Sequence, residues 1–168
     1  MPTAETATVG ADDRNGWVGA APFRAWLNHL SAATGFDPLV VAVAAKVPIG
    51  VARTLAGNGL RPKSIRAIDA MGLLGLDPGT LLSLGDTLAD AAPACQALAA
   101  LGAKRPTPSE LQSRLGVSAG VADGLVNGWL DVCLRSVVWQ VIAYTQETLR
   151  DCAQNAEPEP VDAGSLAA

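Results

Sequence analysis

The sequence predicts an all-α protein made of two similar helical units in tandem, followed by a long C-terminal helix. Three observations carry that expectation. Apolar residues recur every three or four positions through most of the chain, the spacing of one helix face. The pairs Asp37-Pro38, Asp77-Pro78 and Thr107-Pro108 stand where helices would open. There, an Asp or Thr side chain accepts the amide bonds a helix start leaves open, and proline needs no N–H at the first helical position. Finally, a gap-free shift of 70 residues lays the second half of the chain on the first.

Composition sets the bounds. A chain of 168 residues fits one domain, or two small ones sharing a core. It is 49% hydrophobic, 17% charged and only 4% aromatic, so its core is built from Ala, Leu and Val, whose small side chains let helices approach closely. Apolar surface left over makes self-association an expectation. The net charge of −4 argues against nucleic-acid binding over the whole surface, but its distribution is uneven. From Arg24 to Arg66 six basic residues face one acid, which gives that window +5 and leaves −9 elsewhere. Cys95, Cys133 and Cys152 are odd in number and widely spaced, with His29 the one histidine, so neither a disulfide framework nor a zinc site is expected. The acidic start MPTAETATVGADD lacks the order of a signal peptide, and no apolar run reaches the ~18 residues of a membrane span. A cytoplasmic protein with no membrane contact is expected.

Along the chain, residues 1–20 are small and polar with Trp17 as the only large anchor, and read as a flexible lead. Phe23, Trp26, Leu27 and Leu30 then mark an amphipathic helix that Gly35 stops. His29 falls off its stripe and reads as a solvated residue, because a lone histidine with no positioned partner names no mechanism. From Asp37, Val41, Ala42 and Ala45 continue a capped helix as far as Lys46-Val47-Pro48, where proline disfavours a helical Val47 and opens a second helix. In that helix, 48–57, Ile49, Ala52 and Leu55 face inward while Gly50, Arg53 and Thr54 fall on the other side. The layout is that of a helix-turn-helix, whose second helix offers its outer face to a groove.

Beyond the Gly57-Asn58-Gly59 stop, a helix is expected to open at Pro62, with Ile65, Ala67, Ile68 and Met71 inward and Lys63 and Arg66 in its first turn. Cations there oppose the macrodipole, which phosphate contact would explain. Asp77-Pro78 opens a short leucine-bearing helix, and Leu88 to Ala103 holds another that opens at Pro93. The shift of 70 then places Thr107-Pro108 on Asp37-Pro38, Gly120-Val121-Ala122 on Gly50-Val51-Ala52, and Leu125 on Leu55. This second helix-turn-helix is degenerate. Ala119, Gly120, Asp123 and Gly124 replace Ile49, Gly50, Arg53 and Thr54, and a carboxylate facing phosphates is unfavourable. Residues 131–155 put Leu134, Val137, Val138, Val141, Ile142 and Leu149 on one stripe of a long helix, with Trp129, Trp139 and Tyr144 as further anchors. An acidic, disordered tail is expected from 156 to 168. The domain reading is therefore a lead (1–20), a first unit (21–84), a second unit with the long helix (85–155) and the tail.

The run from Phe23 to Asp77, with its capped helix, turn and following KSIRAIDAMGLLGLDP, resembles Cro/C1-type (lambda-repressor-like) helix-turn-helix proteins. The two copies together are similar to the tandem helix-turn-helix proteins of actinobacteria and their phages, over about residues 21 to 150. The resemblance implies a sequence-specific transcriptional regulator that binds double-stranded DNA, often as a homodimer. It assigns base-edge contact to Ile49, Gly50, Arg53 and Thr54, and backbone contact to Lys46, Asn58, Arg61, Lys63 and Arg66. Two departures stand out: Lys46 occupies a turn position where such proteins usually have glycine, and Arg53 is the only long polar reader. The alternative is an adaptor or oligomerisation protein that keeps the fold without binding DNA. No nucleophile and base, metal cluster or phosphate loop is arranged for catalysis, so neither an enzyme nor a cofactor is expected.

Overall fold

Asp37 accepts a hydrogen bond from the Leu39 amide at 2.8 Å and Pro38 takes the first helical position, so the chain enters a helix where its capping pair stands. The computed structural model describes residues 16–57 and 62–155, which are mostly helical. The chain divides into two units, Met1–Leu84 and Gly85–Ala168.

Unit 1 runs β1 (Trp17–Gly19), α1 (Ala21–Thr34), α2 (Pro38–Ala44), α3 (Ile49–Leu55), β2 (Ser64–Arg66), α4 (Ala67–Leu74) and α5 (Pro78–Gly85), the last ending at the boundary between the units. Leu27 and Leu30 of α1, Val41 and Ala42 of α2, and Ala52 and Leu55 of α3 are buried, each on the side its spacing predicts, and Leu73 of α4 is buried with them. Burying one such leucine is worth about 1.5–3 kcal/mol before chain entropy is counted. The Trp26 indole N–H donates to the Leu73 carbonyl at 3.0 Å, which ties α1 to α4 through a polar group that would otherwise be stranded. Gly35 ends α1 in the left-handed region (φ 75°), where a residue without Cβ is unstrained.

Unit 2 repeats the order: β3 (Leu88–Asp90), α6 (Ala92–Ala100), a 3-10 turn (Gly102–Lys104), α7 (Pro108–Leu115), α8 (Ala119–Asn127), β4 (Val132–Leu134) and α9 (Arg135–Asn155). Thr107 and Glu110 form a reciprocal capping box at the start of α7, and Ser118 caps α8. The core gathers Leu98, Leu111, Leu125, Val137, Val138 and Val141. The α9 stripe is thus used largely inside its own unit.

The strands were not anticipated. β1 pairs antiparallel with β2 (Val18 opposite Ile65) and β3 with β4 (Ala89 opposite Cys133), each making a two-stranded ribbon. Matching backbone bonds close both: Ala20 N–H to Lys63 O (3.0 Å) and Ala67 N–H to Gly16 O (2.7 Å) in unit 1, Ala91 N–H to Asp131 O (2.9 Å) and Arg135 N–H to Thr87 O (2.8 Å) in unit 2. The two halves therefore share a ribbon as well as helices. Several expectations are corrected as a result. Residues 17–20 belong to the fold, with Ala20 fully buried and Trp17 70% exposed, so Trp17 is not an anchor. The helix expected from Pro62 begins at Ala67, the helical stretch within 88–103 spans 92–100, and the C-terminal helix begins at Arg135 because 132–134 is strand. With the helix start moved, Ile68 and Met71 face outward, Met71 being 60% exposed, while Asp69, Ala70 and Leu73 turn in. Leu134 and Leu149 of the expected stripe are also exposed. Residues 1–15 of the expected lead and the expected tail lie outside the described residues.

Candidate nucleic-acid interface

The α2–α3 connection is built around Lys46. Its φ of 57° puts a side-chain-bearing residue in the left-handed region, which costs about 1–2 kcal/mol relative to glycine. The matching position in unit 2, 70 residues on, is Gly116 with φ 66°, so the turn expected from glycine forms here without one. Packing holds it in place. A Cβ built on Gly72 of α4 would stand 2.6 Å from the Ala45 carbonyl oxygen, so α4 lies directly against the turn and leaves it no room to relax that way. The Lys46 side chain is exposed.

On α3, Gly50, Arg53 and Thr54 are half-buried, and Arg53 is engaged by a partner within the fold. The Thr54 hydroxyl donates to the Val51 carbonyl at 2.8 Å. Ile49 is corrected: at 6% exposure it belongs to the core, and the base contact assigned to it has no side chain to make it. The residue sits at the first position of α3, where the entry from Pro48 directs it inward with Ala52 and Leu55.

The basic residues after α3 are placed by the ribbon. Lys63 is exposed beside β2, and Arg66 ends that strand opposite Trp17. Asp69, 4% exposed, holds the Arg66 guanidinium with both carboxylate oxygens, at 3.0 and 3.1 Å. The Asp69 hydrogen bond and its charge push the Arg66 pKa upward, so this cation is permanent. The ion pair also answers the macrodipole problem: the first turn of α4 carries an acid, and the cations precede it. Asp69 was missed because Arg66-x-x-Asp69 becomes a helix-start pair only once α4 begins at Ala67. Arg24 of α1 adds a half-buried guanidinium that donates to Pro62 O at 3.4 Å. Asn58 and Arg61 lie outside the described residues.

At the equivalent positions of unit 2, Ala119 and Gly120 are exposed, Asp123 accepts from the Asn127 amide at 2.8 Å, and Gly124 is buried under the Trp129 ring. No group of three or more His, Cys, Asp or Glu residues among those described could hold a metal ion. Cys95, Cys133 and Cys152 are free thiols, and burial pushes the first two up. His29 stacks on Trp26 with ring centroids 5.2 Å apart, on the exposed side of α1. No helix among the described residues is long and apolar enough to cross a membrane. Comparison with protein-family models, curated proteins and solved structures returns no match.

Proposed function

We infer that the chain is a sequence-specific DNA-binding transcriptional regulator of the cytoplasm. In this reading α2 and α3 act as a lambda-repressor-like helix-turn-helix, and the second unit is a degenerate copy that does not read DNA. Arg53 and Thr54 contact base edges beside Gly50, and Lys46, Lys63 and Arg66 contact phosphates, joined by Asn58 and Arg61. One observation supports the reading: in a chain of net charge −4, exposed cations lie at the α2–α3 turn and on β2, in the unit whose short α3 carries half-buried Gly50, Arg53 and Thr54. So few contacts give weak binding to a half-site, so two copies are expected to share an operator. Because α9 packs its stripe into its own core, that pairing would use exposed Leu88, Val132 and Leu134 on the second ribbon. The reading gives the chain no catalytic role and no cofactor.

The test is binding to mixed genomic fragments at two salt concentrations. Lys63→Ala should lower the slope of log K against log salt by about 1, and Arg53→Ala should relax sequence preference at a loss of about 1–3 kcal/mol. Absence of binding at low salt would sink the reading. It would favour the alternative, an adaptor or oligomerisation protein, for which the exposed α4 face of Ile68, Met71 and Leu74 speaks.

A further inference from the structure

Each ribbon holds a large apolar side chain outside at the same place in its unit. Trp17 opens β1 and Leu88 opens β3, and at 70% and 69% exposure they are the most exposed large apolar side chains among the described residues. Left in water, both forgo the stabilisation that burial brings. The backbone fixes what stands beside them. Bonds from Ala20 N–H to Lys63 O and from Ala67 N–H to Gly16 O make Trp17 and Arg66 a directly opposed, non-hydrogen-bonded pair with side chains on one face. Bonds from Ala91 N–H to Asp131 O and from Arg135 N–H to Thr87 O do the same for Leu88 and Leu134. Val132, two residues before Leu134, shares that second face and is 55% exposed. On the first face the remaining positions are Gly19 and Ser64, and a Cβ built on Gly19 would meet nothing within 4 Å, so the space beside the indole is open.

Charge separates the two faces. Lys63 and Arg66 are exposed on and beside the first ribbon, and buried Asp69 offsets the second of these cations. Asp86, Asp90 and Asp131 are exposed on and beside the second ribbon, against the half-buried Arg135. One Asp90 oxygen accepts from the Ala92 amide at 2.8 Å, which leaves the charge in place. Two first ribbons face to face would oppose cations, and two second ribbons would oppose acids, both unfavourable. First against second instead sets an aromatic ring on an aliphatic surface and a cation among acids.

We propose that the first ribbon of one copy docks on the second ribbon of another, with the Trp17 ring on its aliphatic face and Lys63 toward its acids. This names what covers the exposed second ribbon, and it needs no DNA, so it fails or stands separately from the DNA reading. The contact is heterologous, using different surfaces on the two copies. With four outward residues on each ribbon it is far smaller than a standard interface of about 20–30 residues a side, so it forms weakly.

Sedimentation velocity of the full chain from about 5 to 500 μM, at about 0.05 and 0.5 M salt, tests it. The wild-type chain should associate as concentration rises, and the higher salt should weaken that association severalfold. Trp17→Ala, and the double variant Leu88→Ser with Leu134→Ser, should each stay monomeric alone once shown folded by circular dichroism. An equimolar mixture of the two should associate, because each keeps the ribbon that the other lacks. Lys63→Glu and Asp131→Lys should repeat the pattern, weakened apart and restored together. A monomer at every concentration, Trp17→Ala that associates like wild type, a mixture that stays monomeric, or association indifferent to salt would each overturn the proposal.

Discussion

The two units of this chain share a plan and differ in what they display. Both have a strand, a helix, a helix pair whose first member is capped and which a left-handed turn residue joins, a returning strand and a further helix. The buried positions agree: Leu55 and Leu125 are both fully buried, as are Val41 and Leu111 to within 1%. The outward positions do not. The first ribbon presents Trp17 opposite Arg66, while the second presents Leu88 opposite Leu134. Where the first unit has Arg53, the second has Asp123. A core constrains residue type through volume and hydration, whereas an exposed face is limited only by what it meets, so paired units can keep one and change the other.

That equivalence can be broken most directly in the cores. Leu55→Ala and Leu125→Ala should each cost about 2–5 kcal/mol in denaturant unfolding, and near-zero loss at either site would end the claim that the two positions match. Next come the helix glycines. Gly72→Ala sets a methyl against the Ala45 carbonyl oxygen, a backbone atom, and should cost about 1–3 kcal/mol. Gly124→Ala meets the Leu130 Cβ at 3.0 Å and the edge of the exposed Trp129 ring at 3.3 Å, and the ring can give way, so its loss should be smaller. A reversed order in thermal melts would contradict the packing described for α4.

The turn residues sharpen the comparison at a lower magnitude. Lys46→Gly relieves the left-handed lysine while adding unfolded-chain entropy, for a net gain of up to about 1 kcal/mol, and Gly116→Lys should lose a similar amount. Melting temperatures moving the other way would show that the lysine is not strained. The smallest effect is at the caps. Hydrogen bonds from the Thr107 amide and hydroxyl hold the Glu110 carboxyl below its ordinary value of 4.5, so the folded state binds fewer protons than the unfolded one. The contribution of Glu110 is complete above that ordinary value and fades as pH falls through the lower folded value. Glu110→Gln should therefore melt below wild type at neutral pH, with the gap narrowing in acid; a constant gap would place the effect elsewhere.

Much of this was legible in the chain. Asp37-Pro38 and Thr107-Pro108 cap helices, Gly35 and Gly116 end them, and the apolar positions of α2, α3, α7 and α8 fall inside because each signal acts within a few residues. The ribbons were not legible. Trp17-Val18-Gly19 has no alternating pattern of its own, and its partner lies 47 residues away, so pairing leaves no local trace. Missing β2 placed the next helix start five residues early. That error turned Ile68 and Met71 inward on paper and hid the Arg66–Asp69 pair.

Sequence by itself determined the helix pairs, their caps, the 70-residue repeat and the concentration of positive charge around α3, since capping, periodicity and charge are properties of neighbours along the chain. Only the tertiary structure decided that strands close each unit, that Asp69 turns inward to hold Arg66, and that a lysine takes a glycine's backbone conformation. Those outcomes depend on contacts between residues far apart in the chain, where long-range packing and pairing override local preference.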